Sequence, residues 1–136
     1  MAAQAGERAK DGAAPLTVSR PALLVGGSDR AFRSLVHRML AVAARLEAVR
    51  SGFAASIGLS GIQYTLLISI AHLGENSGVS VKSVAEHLGL SGSFVTIVGG
   101  QLTRLGLVEK RADARDRRRV KLTVTARGRA LLARLA

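Results

Sequence analysis

The segment from Ser80 to Leu105 constrains the fold most strongly, because its serines and glycines mark where two helices begin and where the chain turns between them. Ser80 can cap a short helix, Gly89-Leu90-Ser91 can form a tight turn, and Ser91 can cap a second helix. The expected inward-facing residues are Val81, Val84, Ala85 and Leu88 in the first helix and Val95, Val98, Leu102 and Leu105 in the second. Two capped helices joined by three residues predict a helix-turn-helix, although an ordinary helical hairpin shows the same pattern.

The residues that follow predict a β-hairpin with a basic tip. Gly106 can end the second helix, and a strand is expected from Leu107 to Arg111. Residues 112–119 read Ala-Asp-Ala-Arg-Asp-Arg-Arg-Arg, which is a polar and strongly basic loop. Val120-Lys121-Leu122-Thr123-Val124 alternates apolar and polar residues, as a half-buried strand does. A hairpin directly after a helix-turn-helix predicts a winged helix.

Two further helices are expected on either side of this region. Ser60-Gly61-Ile62-Gln63 has the form of a capping box, and the loop residues that close its helix are Gly74, Asn76 and Gly78. Thr125 can cap a last helix from Ala126 to Ala136, whose expected inward-facing residues are Ala130, Leu131 and Leu135.

A long helix is predicted over about residues 29–56, beginning at Ser28 or Asp29. Its apolar residues recur at alternating steps of three and four, at Phe32, Leu35, Met39, Val42, Leu46, Val49 and Phe53. This heptad seam fits a core helix of a monomer or a helix shared across a dimer, and the small size of the chain favours the dimer. Residues 1–27 hold both prolines and are expected to form an extended or partly disordered arm, and residues 28–136 one winged helix-turn-helix domain. The predicted fold is mainly α with a small β-hairpin.

The distribution of charge favours a polyanionic partner. The formal net charge is +11, and the residues from Arg104 onward hold eleven basic and only three acidic side chains. A basic field concentrated in one quarter of a small chain is typical of proteins that bind nucleic acid, although a solvated basic tail has the same composition.

Several function classes are excluded or disfavoured by what the sequence lacks. It has no cysteine, which rules out disulfides and thiolate chemistry, and its three histidines lack the spacing of metal ligands. Paired carboxylates at catalytic spacing, a Gly-x-Ser-x-Gly motif and a phosphate-binding loop are also missing, so neither an enzyme nor a cofactor is expected. The apolar runs are too short for a membrane span and the N-terminus is a poor secretory signal, so a cytoplasmic protein is expected.

From about Phe32 to Ala136 the chain resembles the MarR family of bacterial transcriptional regulators. The resemblance is carried by residues 59–64 (Leu-Ser-Gly-Ile-Gln-Tyr), 81–91 (Val-Lys-Ser-Val-Ala-Glu-His-Leu-Gly-Leu-Ser) and 105–110 (Leu-Gly-Leu-Val-Glu-Lys), by Val95, Thr96 and Leu102, and by the basic loop with residues 122–128 (Leu-Thr-Val-Thr-Ala-Arg-Gly). The basic loop followed by the Thr-x-x-Gly helix start is its most specific part.

The resemblance implies a homodimer that places one recognition helix per subunit in the major groove of a pseudopalindromic DNA operator, with wing arginines in the flanking minor grooves. In that pattern Arg118 inserts and Asp116 holds its guanidinium, although Asp116 is also compatible with a simple turn residue. The candidate DNA-binding residues are Ser91, Ser93, Thr96, Gln101, Arg104, Arg115, Asp116, Arg117, Arg118 and Arg119.

The recognition helix departs from the family pattern, which shows polar or basic residues at its exposed positions. Here those positions hold Gly92, Phe94, Ile97, Gly99, Gly100 and Gln101. The aromatic and aliphatic side chains could touch thymine methyl groups or pack in a half-buried position, and base rates favour packing. The two adjacent glycines could permit a close approach or simply weaken the helix. Phosphate contacts and groove shape are therefore expected to contribute much of the binding.

The resemblance further implies a repressor that a small aromatic ligand releases from DNA, in a crevice for which Tyr64, His37 and His72 are the polar or aromatic groups available. The family also carries a further C-terminal helix in its dimer interface, so here the long helix and the arm are expected to supply most of that interface. The alternative is a winged helix that binds proteins, or nucleic acid non-specifically, without an inducer.

Overall fold

The computed structural model describes residues 16–75 and 77–136. Residues 1–15 of the predicted arm, and the predicted loop residue Asn76, lie outside the described residues. The chain divides into two compact units, one ending at Ala44 and the other running from Arg45 to Ala136. The boundary falls within the first helix, α1 (Arg30–Ser56), which has the predicted length.

The described part of the first unit contains local structure before α1 begins. Residues Pro21–Leu23 form one turn of 3₁₀ helix, and Gly26 and Gly27 both adopt positive φ values, 58° and 76°, in a tight turn. That turn is closed by backbone hydrogen bonds between Val25 and Ser28. Asp29 is buried, and its carboxylate accepts hydrogen bonds of 2.6 Å from the hydroxyl and the N–H of Thr17, which lower its pKa.

The second unit has the predicted helix-turn-helix followed by a hairpin. Its helices after α1 are α2 (Gly61–Gly74), α3 (Val81–Leu88), α4 (Gly92–Arg104) and α5 (Ala126–Ala133), and its strands are β1 (Val79–Ser80), β2 (Val108–Ala112) and β3 (Val120–Val124). The predicted winged helix, mainly α with a small β-hairpin, is confirmed. The sheet also has a third strand that the sequence did not indicate, since β1 pairs antiparallel with β3 in the order β1-β3-β2.

Side-chain caps begin four helices at the predicted residues. Ser60 and Gln63 form the complete capping box of α2, with each side chain accepting a hydrogen bond from the other residue's backbone N–H. The remaining caps are Ser80 on Ser83 N, Ser91 on Phe94 N and Thr125 on Gly128 N, at 3.0–3.2 Å. These local bonds set where α3, α4 and α5 start.

The core lies between the inner faces of α2, α3 and α4 and the sheet. Its fully buried larger side chains are Leu66, Leu67, Ile70, Val84, Val95, Leu102, Val108 and Leu122. The predicted inward rows of α3 and α4 are confirmed except for Leu105, which is 43% exposed because it lies beyond the last helical residue, Arg104. Each fully buried side chain of this kind contributes about 1.5–3 kcal/mol of transfer free energy.

The last helix is shorter than predicted. α5 ends at Ala133, and residues 134–136 continue in tighter turns in which each N–H bonds the carbonyl three residues earlier. Ala130 is exposed rather than inward, whereas Leu131, Leu132 and Leu135 are half-buried against the core.

The Thr-x-x-Gly segment after the hairpin requires a glycine at position 128, because there is no room for a side chain there. A Cβ atom at this position would clash with the carbonyl oxygen of Leu107 and lie 2.7 Å from Cγ1 of Val124. Thr125 is fixed at the same place, because its N–H donates to the Leu107 carbonyl and its hydroxyl donates to the Gly106 carbonyl. The first turn of α5 therefore lies directly against the chain that leads from α4 into β2.

Candidate nucleic-acid interface

The outward face of α4 consists of residues that the core does not use. Val95, Val98, Gly99 and Leu102 point inward and are buried. With 3.6 residues per turn, Ser93, Ile97, Gly100 and Arg104 form a row on the opposite side of the helix. This row begins at the N-terminal end of α4, the end that a recognition helix presents to base edges.

The hydroxyl groups predicted on this helix are already partly engaged. The Ser91 hydroxyl accepts the N–H of Phe94 at 3.2 Å, so it acts as the N-cap. Thr96 is exposed, and its hydroxyl donates to the Gly92 carbonyl at 2.9 Å. The oxygen of Thr96 remains free to accept a hydrogen bond from an outside donor. Ser93 is exposed at the start of the outward row.

Gln101 occupies a different environment from the one predicted for a DNA contact. It is half-buried, and its side-chain oxygen accepts a 3.0 Å hydrogen bond from Nε2 of Gln63 on α2. This bond joins residues 38 positions apart, so no local pattern in the sequence indicates it. Gln63 thus has two roles, since it also completes the capping box of its own helix.

Phe94 and Ile97 are exposed, so the interpretation of these side chains as packing residues is wrong. Their exposed fractions are 40% and 59%. The reason lies in the helical period: Val95 and Val98 occupy the inward positions, which leaves their neighbours on the outer side.

The two adjacent glycines of α4 have different surroundings. Gly99 is buried, and a Cβ atom there would lie 3.8 Å from Cδ1 of Leu122, an ordinary contact. Gly100 is half-exposed, and a Cβ atom there would have nothing within 4 Å.

The tip of the hairpin, residues 113–119, is shaped by two aspartates that bind nearby backbone N–H groups. The Asp113 carboxylate accepts the N–H of Arg115 at 2.7 Å, and the Asp116 carboxylate accepts the N–H of Arg118 at 3.0 Å. The N–H of Asp113 bonds the carbonyl of Arg119 at 2.8 Å and closes the loop. Both aspartates therefore act as turn residues.

The ion pairs of the wing differ from the pairing that the resemblance implied. The second Asp116 oxygen lies 3.5 Å from Nε of Arg119, rather than on the Arg118 guanidinium. The physical reason is the turn, in which the Asp116 carboxylate binds the backbone N–H of Arg118 instead of its guanidinium. Asp113 pairs with Nζ of Lys121 at 3.1 Å. The Arg115 N–H and this lysine hold the pKa of Asp113 below its ordinary value.

Three arginine side chains of the tip project without a partner. Within residues 16–75 and 77–136, the guanidinium groups of Arg115, Arg117 and Arg118 make no ion pair or hydrogen bond, and all three residues are exposed. The Arg104 side chain at the end of α4 is likewise exposed and unpaired among the described residues. These free cations are suited to phosphate groups and to the negative potential of a narrow minor groove.

Comparison with known proteins identifies this arrangement. Residues 57–119, from the residue before Gly58 through the whole basic loop, match the model of the MarR family. Over these residues the chain is similar to the MarR family. The predicted resemblance is confirmed, and a family of transcriptional regulators supports a regulator that binds DNA. A comparison with curated proteins finds no match.

Solved structures of MarR-type regulators share the fold. CouR from Rhodococcus jostii RHA1, solved with bound p-coumaroyl-CoA, is 25% identical with a TM-score of 0.66, over 74% of this chain and 68% of that one. A variant of S. aureus MepR, bound to an oligodeoxyribonucleotide, is 24% identical with a TM-score of 0.56, over 74% and 71% of the two chains. BldR from Sulfolobus solfataricus is 23% identical with a TM-score of 0.59, over 75% and 74%.

The second unit has a cleft beside α5 whose lining is mostly apolar and includes two arginines. Its volume is about 490 Å³, and its lining residues are Ile57, Gly58, Leu59, Leu105, Leu107, Arg127, Ala130, Leu131 and Arg134. The residues considered for a ligand crevice from the sequence, Tyr64, His37 and His72, do not line it. A mostly apolar lining that includes Arg127 and Arg134 favours an amphipathic anion.

The histidines of this chain are less isolated than the sequence indicated. The rings of His72 on α2 and His87 on α3 lie with their centroids 6.4 Å apart. Among the described residues there is no group of three side chains that could hold a metal ion. No single described helix is long and apolar enough to cross a membrane.

Proposed function

We propose that this protein is a transcriptional repressor that binds double-stranded DNA sequence-specifically, as a homodimer on a pseudopalindromic operator. The observation that carries the proposal is the pairing, within one compact unit, of an outward α4 face free of core contacts with a wing whose Arg115, Arg117 and Arg118 side chains are unpaired. A helix and a cationic hairpin in this arrangement are suited to the groove and the phosphates of a duplex.

In this proposal α4 and the wing contact different parts of the duplex. The N-terminal half of α4 enters the major groove, where Ser93 and Thr96 face base edges and Arg104 reaches a phosphate. Arg118 enters the flanking minor groove, whose negative potential is greatest in A·T-rich sequence. Arg115, Arg117 and Arg119 bind phosphates on either side. Because a duplex operator lies in the bacterial cytoplasm, the proposal includes a cytoplasmic location.

The homodimer is supported by the exposure of the α1 seam. Six of its predicted residues, Leu35, Met39, Val42, Leu46, Val49 and Phe53, are 45–64% exposed on the single chain. Ala54 is the one buried residue of α1, so the seam does not serve as a core face of the monomer. A row of apolar residues at heptad spacing is stabilised by pairing with the same row of a second copy.

The dimer is tested by sedimentation of Met39→Glu and Leu46→Glu variants. Each glutamate would place a charge in the paired seam, so both variants are expected to sediment as monomers and to bind DNA weakly. Ala44→Glu, which places the same charge on the exposed side of α1 away from the seam, serves as the control and should remain dimeric. A wild-type protein that is monomeric at micromolar concentration contradicts the homodimer.

The cleft beside α5 supports release by a ligand with an aromatic or apolar body and a negative charge. Leu105 and Leu107, which line it, directly follow α4, so a ligand there would contact the chain that holds the recognition helix. CouR, which binds p-coumaroyl-CoA, shows that the fold accommodates a ligand of this kind. The probes are p-coumarate and p-coumaroyl-CoA, added to the protein–DNA complex. Release should be weakened in Arg134→Ala, and a complex unaffected by either probe would count against this ligand class.

The proposal as a whole is tested by a gel-shift series at increasing salt, with the promoter region upstream of the protein's own gene and with random duplex. Specific binding should appear on the promoter fragment, and log affinity should fall with log salt by about 0.9 per phosphate contact. Equal affinity for both duplexes would favour a non-specific nucleic-acid module. A salt-independent interaction would favour a winged helix that binds proteins.

A further inference from the structure

An apolar strip occupies the middle of the α4 face that the proposed function turns toward DNA. Ile97 is 59% exposed at the centre of the outward row, and Phe94 is 40% exposed one turn earlier on its flank. Leaving such side chains in water has no benefit for the folded monomer, because their burial is favourable. The core gains nothing from them either, since the inner positions of the helix are filled by Val95, Val98 and Leu102.

Gly100 lies one turn after Ile97 on the same row and extends this strip as bare helix backbone. A Cβ atom there would meet nothing within 4 Å, so the fold does not require a glycine at this position. Glycine in a helix interior is destabilising relative to alanine. A close approach of DNA would account for a glycine at this exposed position, which the fold itself does not require.

We propose that Ile97, flanked by Phe94 and the bare backbone at Gly100, recognises the C5-methyl group of thymine in each half-site. This inference rests on the proposed function, because it assigns the α4 face to the major groove. The thymine methyl is the one apolar group that base pairs present there, and it is what an isoleucine can read. Opposite any other base edge, the same side chain would leave donors or acceptors without a partner.

The spacing of Phe94 and Ile97 along α4 extends the inference to two thymine positions in each half-site. Side chains three residues apart on a helix have Cβ atoms about 5–6 Å apart. Successive base pairs lie about 3.4 Å apart along the duplex. Phe94 and Ile97 therefore reach thymines at neighbouring or next-neighbouring steps.

The charges around the strip favour DNA rather than an apolar protein surface as its occupant. Ser93 precedes the strip and Arg104 follows it on the same row, so both ends are polar and one is cationic. Three acidic against eleven basic residues from Arg104 onward make the whole region electropositive. An apolar contact framed by hydroxyl and guanidinium groups is typical of a base edge between phosphates.

The test begins with selection of high-affinity duplexes from a random pool by the full-length protein. If no sequence is enriched, sequence-specific DNA binding is refuted, and the proposed function is refuted with it. In each enriched duplex, every thymine is then replaced singly by deoxyuridine, which removes the methyl group and leaves all hydrogen-bonding groups in place. One or two positions per half-site should lose about fourfold in affinity, the effect of burying one methyl group.

Variants of the strip link this loss to particular side chains. Ile97→Ala should lose affinity for the thymine duplex and bind the thymine and deoxyuridine duplexes equally well at the Ile97 position. Ile97→Val, which keeps part of the side chain, should show an intermediate difference. Val120→Ala is the control, because it removes an apolar side chain that is 45% exposed outside α4 and should keep the full thymine preference.

Gly100→Ala tests the close approach separately. It should raise the melting temperature, because alanine favours the helix, and at the same time lower the affinity for the selected duplex. If Gly100→Ala binds like the wild type, the close approach at Gly100 is refuted. If deoxyuridine has no effect at any position, or has the same effect in Ile97→Ala and Phe94→Ala as in the wild type, thymine recognition by this strip is refuted.

Discussion

The recognition helix and the wing are held in position in different ways. α4 is positioned by its inner face, which is buried against the rest of the unit, and its outer face carries a single cation, Arg104. The wing tip buries almost nothing and is shaped by two aspartates that bind backbone N–H groups two residues away. Its outer surface is mainly arginine. A packed element suits the reading of base edges, which needs fixed geometry, whereas a loosely held basic loop suits phosphates and a groove of variable width.

The largest expected difference between α4 and the wing is in their contribution to the free energy of unfolding. Leu102→Ala removes a fully buried side chain from the inner face of α4 and should lower the free energy of unfolding by about 2–5 kcal/mol. Arg117→Ala, at the exposed wing tip, should leave it nearly unchanged. Urea titrations of both variants measure this difference, and similar losses in the two would show that the wing is part of the cooperative core.

The next effect concerns the reading of sequence by α4. The Thr96 hydroxyl donates to the Gly92 carbonyl, so its oxygen can only accept, and the suitable base donors are the amino groups of adenine and cytosine. Thr96→Ala should change the preference at one half-site position by about 1–3 kcal/mol, measured by competition between single-base variants of the operator.

Thr103 provides the matched control for this substitution. Its hydroxyl makes the same type of bond, to the Gly99 carbonyl at 2.9 Å, near the other end of α4. Thr103→Ala should leave the base preference unchanged, whereas Thr96→Ser should retain it. An altered preference in both alanine variants would attribute the effect to the helix backbone instead of to the Thr96 oxygen.

A smaller effect is expected from the wing. Arg118→Ala should lower the slope of log affinity against log salt by about 0.9, the contribution of one phosphate-like contact, and should weaken binding most at operators with A·T-rich flanks. Arg118→Lys keeps the charge but not the planar guanidinium, so it should retain the slope and lose the preference for A·T-rich flanks. Wild-type behaviour of Arg118→Ala on every flank would make the wing a solvated basic loop.

The elements that are set by local side-chain bonds could be predicted from the sequence. The caps at Ser60, Ser80, Ser91 and Thr125 were predictable, since each involves a side chain and an N–H three residues later. The helix-turn-helix and the hairpin followed from those caps and from the alternation in β3. The family match then confirmed the resemblance that these elements carry.

The features that were missed depend on residues far apart in the chain or on which atoms of neighbouring residues pair. β1 has only two residues, and it forms because Val79 and Ser80 pair with Leu122 and Lys121. The Gln63–Gln101 bond likewise joins α2 to α4 over a long separation. In place of the expected Asp116–Arg118 side-chain pair, Asp116 accepts the Arg118 backbone N–H and pairs with Arg119, which the residue types alone do not reveal.

The smallest predicted effect concerns the dependence of the wing on pH. The Asp113 carboxylate accepts the Arg115 N–H and pairs with Lys121, so its pKa is lower in the folded wing than in an unfolded chain. A carboxyl group of this kind stabilises the loop at every pH above its unfolded pKa of about 3.9, and the stabilisation is lost as the pH falls through the lower folded value. The wing should therefore be insensitive to pH near neutrality and should loosen only in strong acid. Amide hydrogen exchange at Arg115 measures this opening. Asp113→Asn should show faster exchange at pH 7 and no acid step below pH 4, whereas an unchanged acid step in that variant would assign the opening to another group.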